Sequence, residues 1–292
     1  MKPTFVILTG PTAVGKTALS LALADRWNAE IISVDSRQVY RQMTIGTAKP
    51  PPSVLEAVPH HFVDELDLGD PFSAGIFARE AVARVDSIRA RGRVPLFVGG
   101  STLYLHALKY GLADVPPVDP SVRADVQQRL ESEGADALYA ELERVDPTAA
   151  ATLDPTKTQR LVRALEVYHG TGEPLSSFHA AQQPPPFSFR TIVLFRERAE
   201  LYRRIEARVD EMLSDGLLDE VRGILQRGYD PTLNPLRTIG YQESVAHLQG
   251  VIDQAEMIRL IKRNTRRYAK RQLTWFRRDP SCEWLPADLL LQ

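Results

Sequence analysis

Two hydrophobic rhythms alternate along the first hundred residues. Thr4-Phe-Val-Ile-Leu-Thr9 is a short apolar run of the kind that buried strands show, and residues 17–27 then carry apolar side chains at helical spacing. Glu30-Ile-Ile-Ser-Val-Asp35 is a second β-branched run, ending in an acid. A helical rhythm over residues 72–91 leads to Val94-Pro-Leu-Phe-Val98, a third strand closed by Gly99-Gly100. Strand, helix, strand, helix, strand predicts an α/β core with a parallel sheet, because parallel neighbours need a crossover between them.

The rhythm changes near residue 114. Pro116, Pro117 and Pro120 break the chain, and helical patterns follow over residues 121–133, 135–145 and 156–169, with no strand-like run between them. The cluster Pro184-Pro-Pro186 ends this stretch. The expected organisation is a catalytic core made of residues 1–113 and 187–292, with a mostly helical insertion at 114–186. A strand at 189–195 returns to the core, and helices at about 199–226 and 255–277 follow.

Directly after the first strand stands Gly10-Pro11-Thr12-Ala13-Val14-Gly15-Lys16-Thr17, the pattern G-x-x-x-x-G-K-T. Each part has a mechanical reason. The glycines let backbone amides approach phosphate oxygens, Lys16 supplies a mobile positive charge, and the Thr17 hydroxyl suits a magnesium ion. The helix that starts here aims the positive end of its dipole at the same anion.

Composition narrows the setting. A single cysteine, Cys282, excludes an intramolecular disulfide and a cysteine-rich zinc site. There is no charged-then-apolar leader and no apolar run near the ~20 residues of a membrane span, so a soluble, cytoplasmic chain is expected. With 36 basic and 37 acidic residues, net charge says nothing of a polyanionic partner. Its distribution does. The segment RLIKRNTRRYAKRQLTWFRR, residues 259–278, holds nine basic residues and no acidic one. Ile258, Ile261, Thr265, Tyr268, Gln272 and Trp275 recur at steps of three and four, which predicts an amphipathic basic helix. Such a block repels itself unless something anionic answers it, and nucleic acid or a multi-phosphate ligand would do so.

Phosphate loops of this kind serve hydrolases and kinases by default. A hydrolase of this class usually carries a second apolar strand ending in a metal-holding acid, whereas here that strand ends in Gly99-Gly100. The remaining strand-end acid is Asp35. Carboxyl ends of strands face the ligand crevice of a parallel sheet, so Asp35 should lie beside the loop as a metal ligand, a general base or a turn cap. His60 and His61 have no third ligand nearby and read as a packed or surface pair.

The ordered blocks Gly10-Pro-Thr-Ala-Val-Gly-Lys-Thr17, Asp35-Ser-Arg-Gln-Val-Tyr40, Ile45-Gly-Thr-Ala-Lys-Pro50, Gly99-Gly100 with Leu103-Tyr104, Arg160-Leu-Val-Arg-Ala-Leu-Glu-Val167, Ile239-Gly-Tyr241 and Ala269-Lys-Arg-Gln-Leu-Thr-Trp275 make the chain resemble the bacterial tRNA dimethylallyltransferases. The resemblance implies a P-loop kinase-like core with a helical insertion. It also implies transfer of a dimethylallyl group from dimethylallyl diphosphate to the exocyclic N6 amine of the adenosine 3′ of the tRNA anticodon, position 37. Diphosphate leaves, Mg2+ assists, and no ATP is consumed. A monomer acting on the anticodon stem-loop is expected. A small-metabolite kinase is the alternative, and an RNA-binding protein with a structural phosphate loop is a third reading.

What the resemblance implies for residues is specific. Gly10 to Thr17 and Arg208 hold the diphosphate, Lys16, Thr17 and Arg208 support its departure, Thr17 meets the metal, and Asp35 removes a proton from the amine. Contacts to tRNA fall on Asp35, Ser36, Arg37, Gln38, Ser101 and Arg123. They continue over Gln159, Arg160, Leu161, Val162 and Arg163, then over Arg237, Thr238, Ile239, Gly240, Tyr241 and Gln242. The last group is Lys270, Arg271, Gln272, Leu273, Thr274, Trp275, Phe276 and Arg277. Two positions depart from the pattern: Thr102 stands at a usual glycine, which questions the backbone there, and Val14 at a position that is often serine.

Overall fold

A computed structural model describes residues 2–113, 115–180 and 184–290, and the chain divides into two compact units, residues 1–109 with 185–292, and residues 110–184. The first unit is built on six strands: β1 (Thr4–Thr9), β2 (Ala29–Val34), β3 (His60–His61), β4 (Val94–Gly99), β5 (Ser188–Phe195) and β6 (Cys282–Pro286). They form one sheet in the order β3-β2-β4-β1-β5-β6, every pair parallel. Helices α1 (Lys16–Trp27), α2 (Pro52–Ala57), α3 (Ala74–Ala90) and α4 (Thr102–Tyr110) fall between the early strands. The predicted parallel α/β core is therefore present. Two edge strands carried no readable signal: β3 is two histidines, and β6 mixes Cys282, Glu283 and Trp284 without alternation.

Register decides where the chemistry collects. Leu8 pairs with Val98 and Val34 with Gly99, so the ends of β1, β2 and β4 finish at one edge of the sheet. The loop after β1, Asp35 after β2 and Gly100-Ser101 after β4 consequently become neighbours.

The second unit holds α5 (Pro120–Glu133), α6 (Ala135–Val145), α7 (Pro147–Ala150), α8 (Thr158–Thr171) and α9 (Leu175–Ala180). Val126, Leu138, Leu142, Leu161, Val162 and Leu165 close its core. Asp146, buried, caps α7 through the Ala149 amide at 3.0 Å and takes the Ser176 amide at 2.9 Å. Asp114 and residues 181–183, near which the insertion was expected to begin and end, lie outside the described residues.

Back in the first unit, the expected long helix at 199–226 is two, α10 (Arg198–Ser214) and α11 (Leu217–Gln226), because the chain turns at Asp215-Gly216. After α12 (Tyr241–Leu248) comes the basic helix as one element, α13 (Gln254–Phe276), capped by the Asp253 side chain on the Glu256 amide at 2.7 Å. Its buried residues are Met257, Ile261, Ala269, Gln272 and Phe276. The expected stripe was set off by one position at several turns: Ile258, Thr265, Tyr268 and Trp275 are only half-buried. Among the described residues no helix is long and apolar enough to cross a membrane.

Candidate active site

The phosphate-loop sequence is shaped from behind. Ala13 and Val14 turn their side chains into an apolar cluster with Leu8, Leu194, Leu201 and Ile205 of β1, β5 and α10 and Ala269 of α13. Val14 is fully buried there, so its aliphatic side chain packs where serine is common. Ala13 itself sits at φ 63, a left-handed conformation that this packing holds in place. Polar groups on the loop's outer side are also taken. Arg204 Nε donates to the Ala13 carbonyl at 2.9 Å and Arg196 Nε to that of Val14 at 2.8 Å. Gln272 Oε1 accepts from the Thr12 amide at 3.0 Å.

Lys16 folds back over the loop, its Nζ donating to the carbonyls of Gly10 and Pro11 at 2.9 Å each. Burial, with the Arg208 charge adding to it and Asp35 partly opposing, pushes its ammonium down to about 7. Arg208 stands one turn beyond Arg204 on α10. Its guanidinium is held below the usual range by burial and by Arg204. Two cations so crowded are poised for an anion that relieves both. Thr17 is exposed at the first turn of α1, and no hydrogen bond among the described residues engages its hydroxyl.

Asp35 follows the last residue of β2. Its Oδ1 accepts from the amides of Arg37 at 2.8 Å and Gln38 at 3.2 Å, so it does cap the turn, which fixes the plane of the carboxylate. The same turn is held on both flanks: Ser101 Oγ accepts from the Ser36 amide at 3.2 Å, and Arg37 Nε donates to Thr238 Oγ1 at 2.6 Å. Gln38 Nε2 reaches the carbonyl of Thr47 at 3.1 Å, steadying the stretch 46–48, where Ala48 is left-handed at φ 50. Thr102, the residue at a usual glycine, opens α4 in ordinary helical backbone and carries no strain.

These pieces enclose one pocket of about 360 Å³, within the roughly 300–1,000 Å³ of small-molecule sites. It is lined by Thr12, Ala13 and Arg208, by Asp35 to Arg37 and Ser101, and by Gly46 to Ala48 with Arg237 to Gly240. Ile205, Val209, Met212, Ile239 and Ile261 supply an apolar wall. Tyr268 also lines it, and burial with the nearby Asp35 carboxylate pushes its phenol up to about 12, which keeps it protonated.

Several residues expected at the RNA surface are elsewhere. Leu161 and Val162 are core residues of the helical unit, and Phe276 is fully buried under α13. Tyr241, also fully buried, lies with its ring 2.4 Å from where a Gly46 Cβ would be, so only glycine fits at 46. Gln272 faces the phosphate loop. These five leave the set of direct RNA contacts, because their spacing within basic or helical motifs says nothing of which way each side chain points. Arg123, Gln159 and Arg160 are exposed, and Arg123 and Arg163 share the buried Glu166 at 3.0 and 2.7 Å. On α13 the positive block is partly answered within the chain: Lys262 pairs with Asp210, Arg266 with Glu206 and Arg259 with Glu256. Arg267, Lys270, Arg271, Thr274 and Arg277 are exposed.

Arg196, Arg204 and Gln272 were missed as parts of the loop's frame. The one signal available was their place on elements following β5, where a parallel sheet must bring the chain back beside β1. The two histidines behave as a packed pair: His61 Nε2 lies 2.7 Å from the buried Glu30, which Arg91 also holds. Among the described residues no group of three or more His, Cys, Asp or Glu could hold a metal ion.

The family model described as IPP transferase matches residues 38–279. The tRNA dimethylallyltransferase of Salinibacter ruber is 61% identical over 281 residues, spanning 96% of this chain and 87% of that protein. That of Chlorobium chlorochromatii is 46% identical over 289 residues, 97% of this chain and 93% of that one. Among solved structures, the full-length tRNA isopentenylpyrophosphate transferase of Bacillus halodurans aligns with a TM-score of 0.71 at 40% identity, covering 98% of this chain and 90% of that one. A eukaryotic dimethylallyltransferase captured acting on tRNA aligns with a TM-score of 0.79 at 30% identity, covering 98% and 74%.

Proposed function

The chain belongs to the IPP transferase family, and from that premise we propose that it transfers the dimethylallyl group of dimethylallyl diphosphate to N6 of adenosine 37 in tRNA, releasing diphosphate. One observation carries the reading. Thr12 and Ala13 of the phosphate loop, the half-buried Arg208, the strand-end carboxylate of Asp35 and a set of apolar side chains line a single pocket. A nucleotide kinase needs the first of these and has no use for a hydrocarbon wall beside the leaving group.

The chemistry asks for each part. The bond between the allylic carbon and the diphosphate oxygen breaks with its electron pair going to the oxygen, so charge accumulates on the departing group. Loop amides, Lys16 and Arg208 stabilise that charge, each such donor being worth about 3 kcal/mol at the transition state. The five-carbon tail lies against Ile205, Val209, Met212 and Ile261, out of water that would otherwise capture the cation. The adenine amine, its lone pair shared with the ring, forms the new carbon–nitrogen bond as Asp35 accepts its proton. Such a base supplies roughly 10² to 10⁴ in rate. The capping bonds to Oδ1 leave Oδ2 for that proton.

Thr17, whose exposed hydroxyl stands at a helix start, is the residue that would hold a magnesium ion accompanying the diphosphate; no all-protein cage would be needed. When bound, the ion neutralises part of the leaving group's charge. The tRNA loop is held by Arg267, Lys270 and Arg271 on α13 and by Arg277 at its end, while the adenine is turned out of its stack into the pocket at a cost of a few kcal/mol. Incubation with radiolabelled dimethylallyl diphosphate and an unmodified anticodon stem-loop tests the proposal. Label in the RNA, with an equal amount of diphosphate released, is the expected result. Protein that binds both substrates and transfers nothing would overturn it.

A further inference from the structure

We infer that Gln272 is a positioning residue of the phosphate loop, the link by which α13 holds the diphosphate cradle in shape; the inference rests on the diphosphate reading above. In sequence the residue stands inside a run of cations and belongs, by pattern alone, to the RNA-facing helix. In the fold it is 2% exposed and spans two backbone groups. Its Oε1 accepts from the Thr12 amide at 3.0 Å, and its Nε2 donates to the Gly100 carbonyl at 2.8 Å. One side chain thus ties together the loop after β1 and the turn after β4.

The residue type follows from those two partners. Thr12 needs an acceptor and Gly100 a donor, and a primary amide is the neutral group that provides both. Lysine would leave the Thr12 amide unpaired. Glutamate would set a carboxylate against the Gly100 carbonyl and bring negative charge to the edge of an anion site. Space is equally restrictive: a Cβ at Gly100 would fall 2.5 Å from Gln272 Nε2 and 3.0 Å from the Gly10 carbonyl.

The other outward polar groups of the loop are held by cations, Lys16 on Gly10 and Pro11, Arg204 on Ala13 and Arg196 on Val14. Gln272 makes the uncharged contact among them, and it comes from the helix whose outer face carries Arg267, Lys270 and Arg271. With the Thr12 amide turned outward and fixed, the amides nearer Thr17 are the ones left to meet a diphosphate.

Binding of magnesium pyrophosphate and of tRNA to the full chain, by calorimetry and filter retention, tests the assignment. Gln272→Met keeps the volume and loses both hydrogen bonds, and Gln272→Glu adds the charge. Pyrophosphate Kd should rise by about fivefold in the first and by at least about tenfold in the second, while tRNA Kd stays within about twofold of wild type. The loss in Gln272→Glu should shrink as pH falls and its carboxyl takes up a proton, and the loss in Gln272→Met should not. In the wild-type chain, the Thr12 amide proton should be protected from exchange before any ligand is added. Unchanged pyrophosphate binding in both variants, or weakened tRNA binding alone, would overturn the role of Gln272, as would a rapidly exchanging Thr12 amide. Wild-type protein that binds no pyrophosphate would instead remove the diphosphate reading itself, and this role with it.

Discussion

Glu220 Oε1 accepts a 2.6 Å hydrogen bond from the Tyr241 hydroxyl, and the same carboxylate takes the amides of Thr44, Ile45 and Gly46 at 2.9, 2.8 and 3.3 Å. One acid on α11 therefore fastens the 46–48 wall of the pocket to the start of α12. Burial and the adjacent carboxylate hold the Tyr241 phenol far above its usual range, so it remains a donor. Replacing Glu220 by Ala strands three amides, at about 1–3 kcal/mol for each that water cannot reach. Urea denaturation should show a loss of about 3 kcal/mol for Glu220→Ala and about 1 kcal/mol for Tyr241→Phe.

Gly46 and Tyr241 are coupled by shape. Gly46→Ala drives a methyl into the Tyr241 ring and should destabilise by about 1–3 kcal/mol, as overpacking does. In Tyr241→Ala the same substitution should cost far less. A double-mutant cycle on melting measures this, and additive effects would mean that the ring is not where the fold puts it.

Asp35→Asn separates turn capping from proton removal. Asparagine keeps an oxygen for the Arg37 and Gln38 amides and cannot take a proton, so the turn survives and the base is lost. Single-turnover rates should fall by about 10² to 10⁴, with pyrophosphate and tRNA affinities nearly unchanged. Equal losses in binding and rate would make Asp35 a recognition residue.

Much of this site was legible because its parts are local. The Gly10–Thr17 pattern, the acid closing β2 and the glycines closing β4 each lie at a strand end, and a parallel sheet gathers strand ends at one edge. What stayed hidden depends on which way a side chain turns. Gln272, Phe276 and Tyr241 sit within motifs rich in surface cations or loop residues, yet all three point inward. The basic run on α13 looked unanswered because Glu206 and Asp210 lie some fifty to sixty residues away in sequence, and only the packing of α10 on α13 brings them over. β3 and β6 were invisible for a different reason: an edge strand needs no apolar alternation when only one side is paired.

Lys16 gives the site a pH dependence. Its folded value near 7 lies below the 10.5 of an unhindered lysine, so a folded chain must hold the proton at a cost. That cost is fully present below about pH 7 and disappears as pH rises towards 10.5, because in that window the unfolded state binds more protons. Lys16→Met should therefore melt higher than wild type at pH 7, with the gap closing towards pH 10. Pyrophosphate binding has the opposite sign. The anion raises the lysine value, so affinity is greatest below pH 7 and weakens above it, by up to about tenfold per unit. Calorimetry from pH 6 to 9, with Lys16→Met as the reference that cancels ionisation of pyrophosphate itself, checks this.

The cations of α13 should not count equally towards RNA. Arg259 and Arg266 are committed to Glu256 and Glu206, and releasing them for phosphate would mean breaking those pairs. Lys270 and Arg267 are exposed, with no ion pair among the described residues, and are free to displace counterions from an RNA backbone. Each phosphate contact adds roughly 0.7 to 0.9 to the slope of log K against log salt. Lys270→Ala and Arg267→Ala should each flatten that slope by about this amount in filter binding from 50 to 300 mM salt. Arg259→Ala should leave it unchanged, because Glu256 already screens that charge. A slope that Arg259→Ala flattens and Lys270→Ala does not would put the RNA at the other end of the helix, away from the pocket that Tyr268 lines.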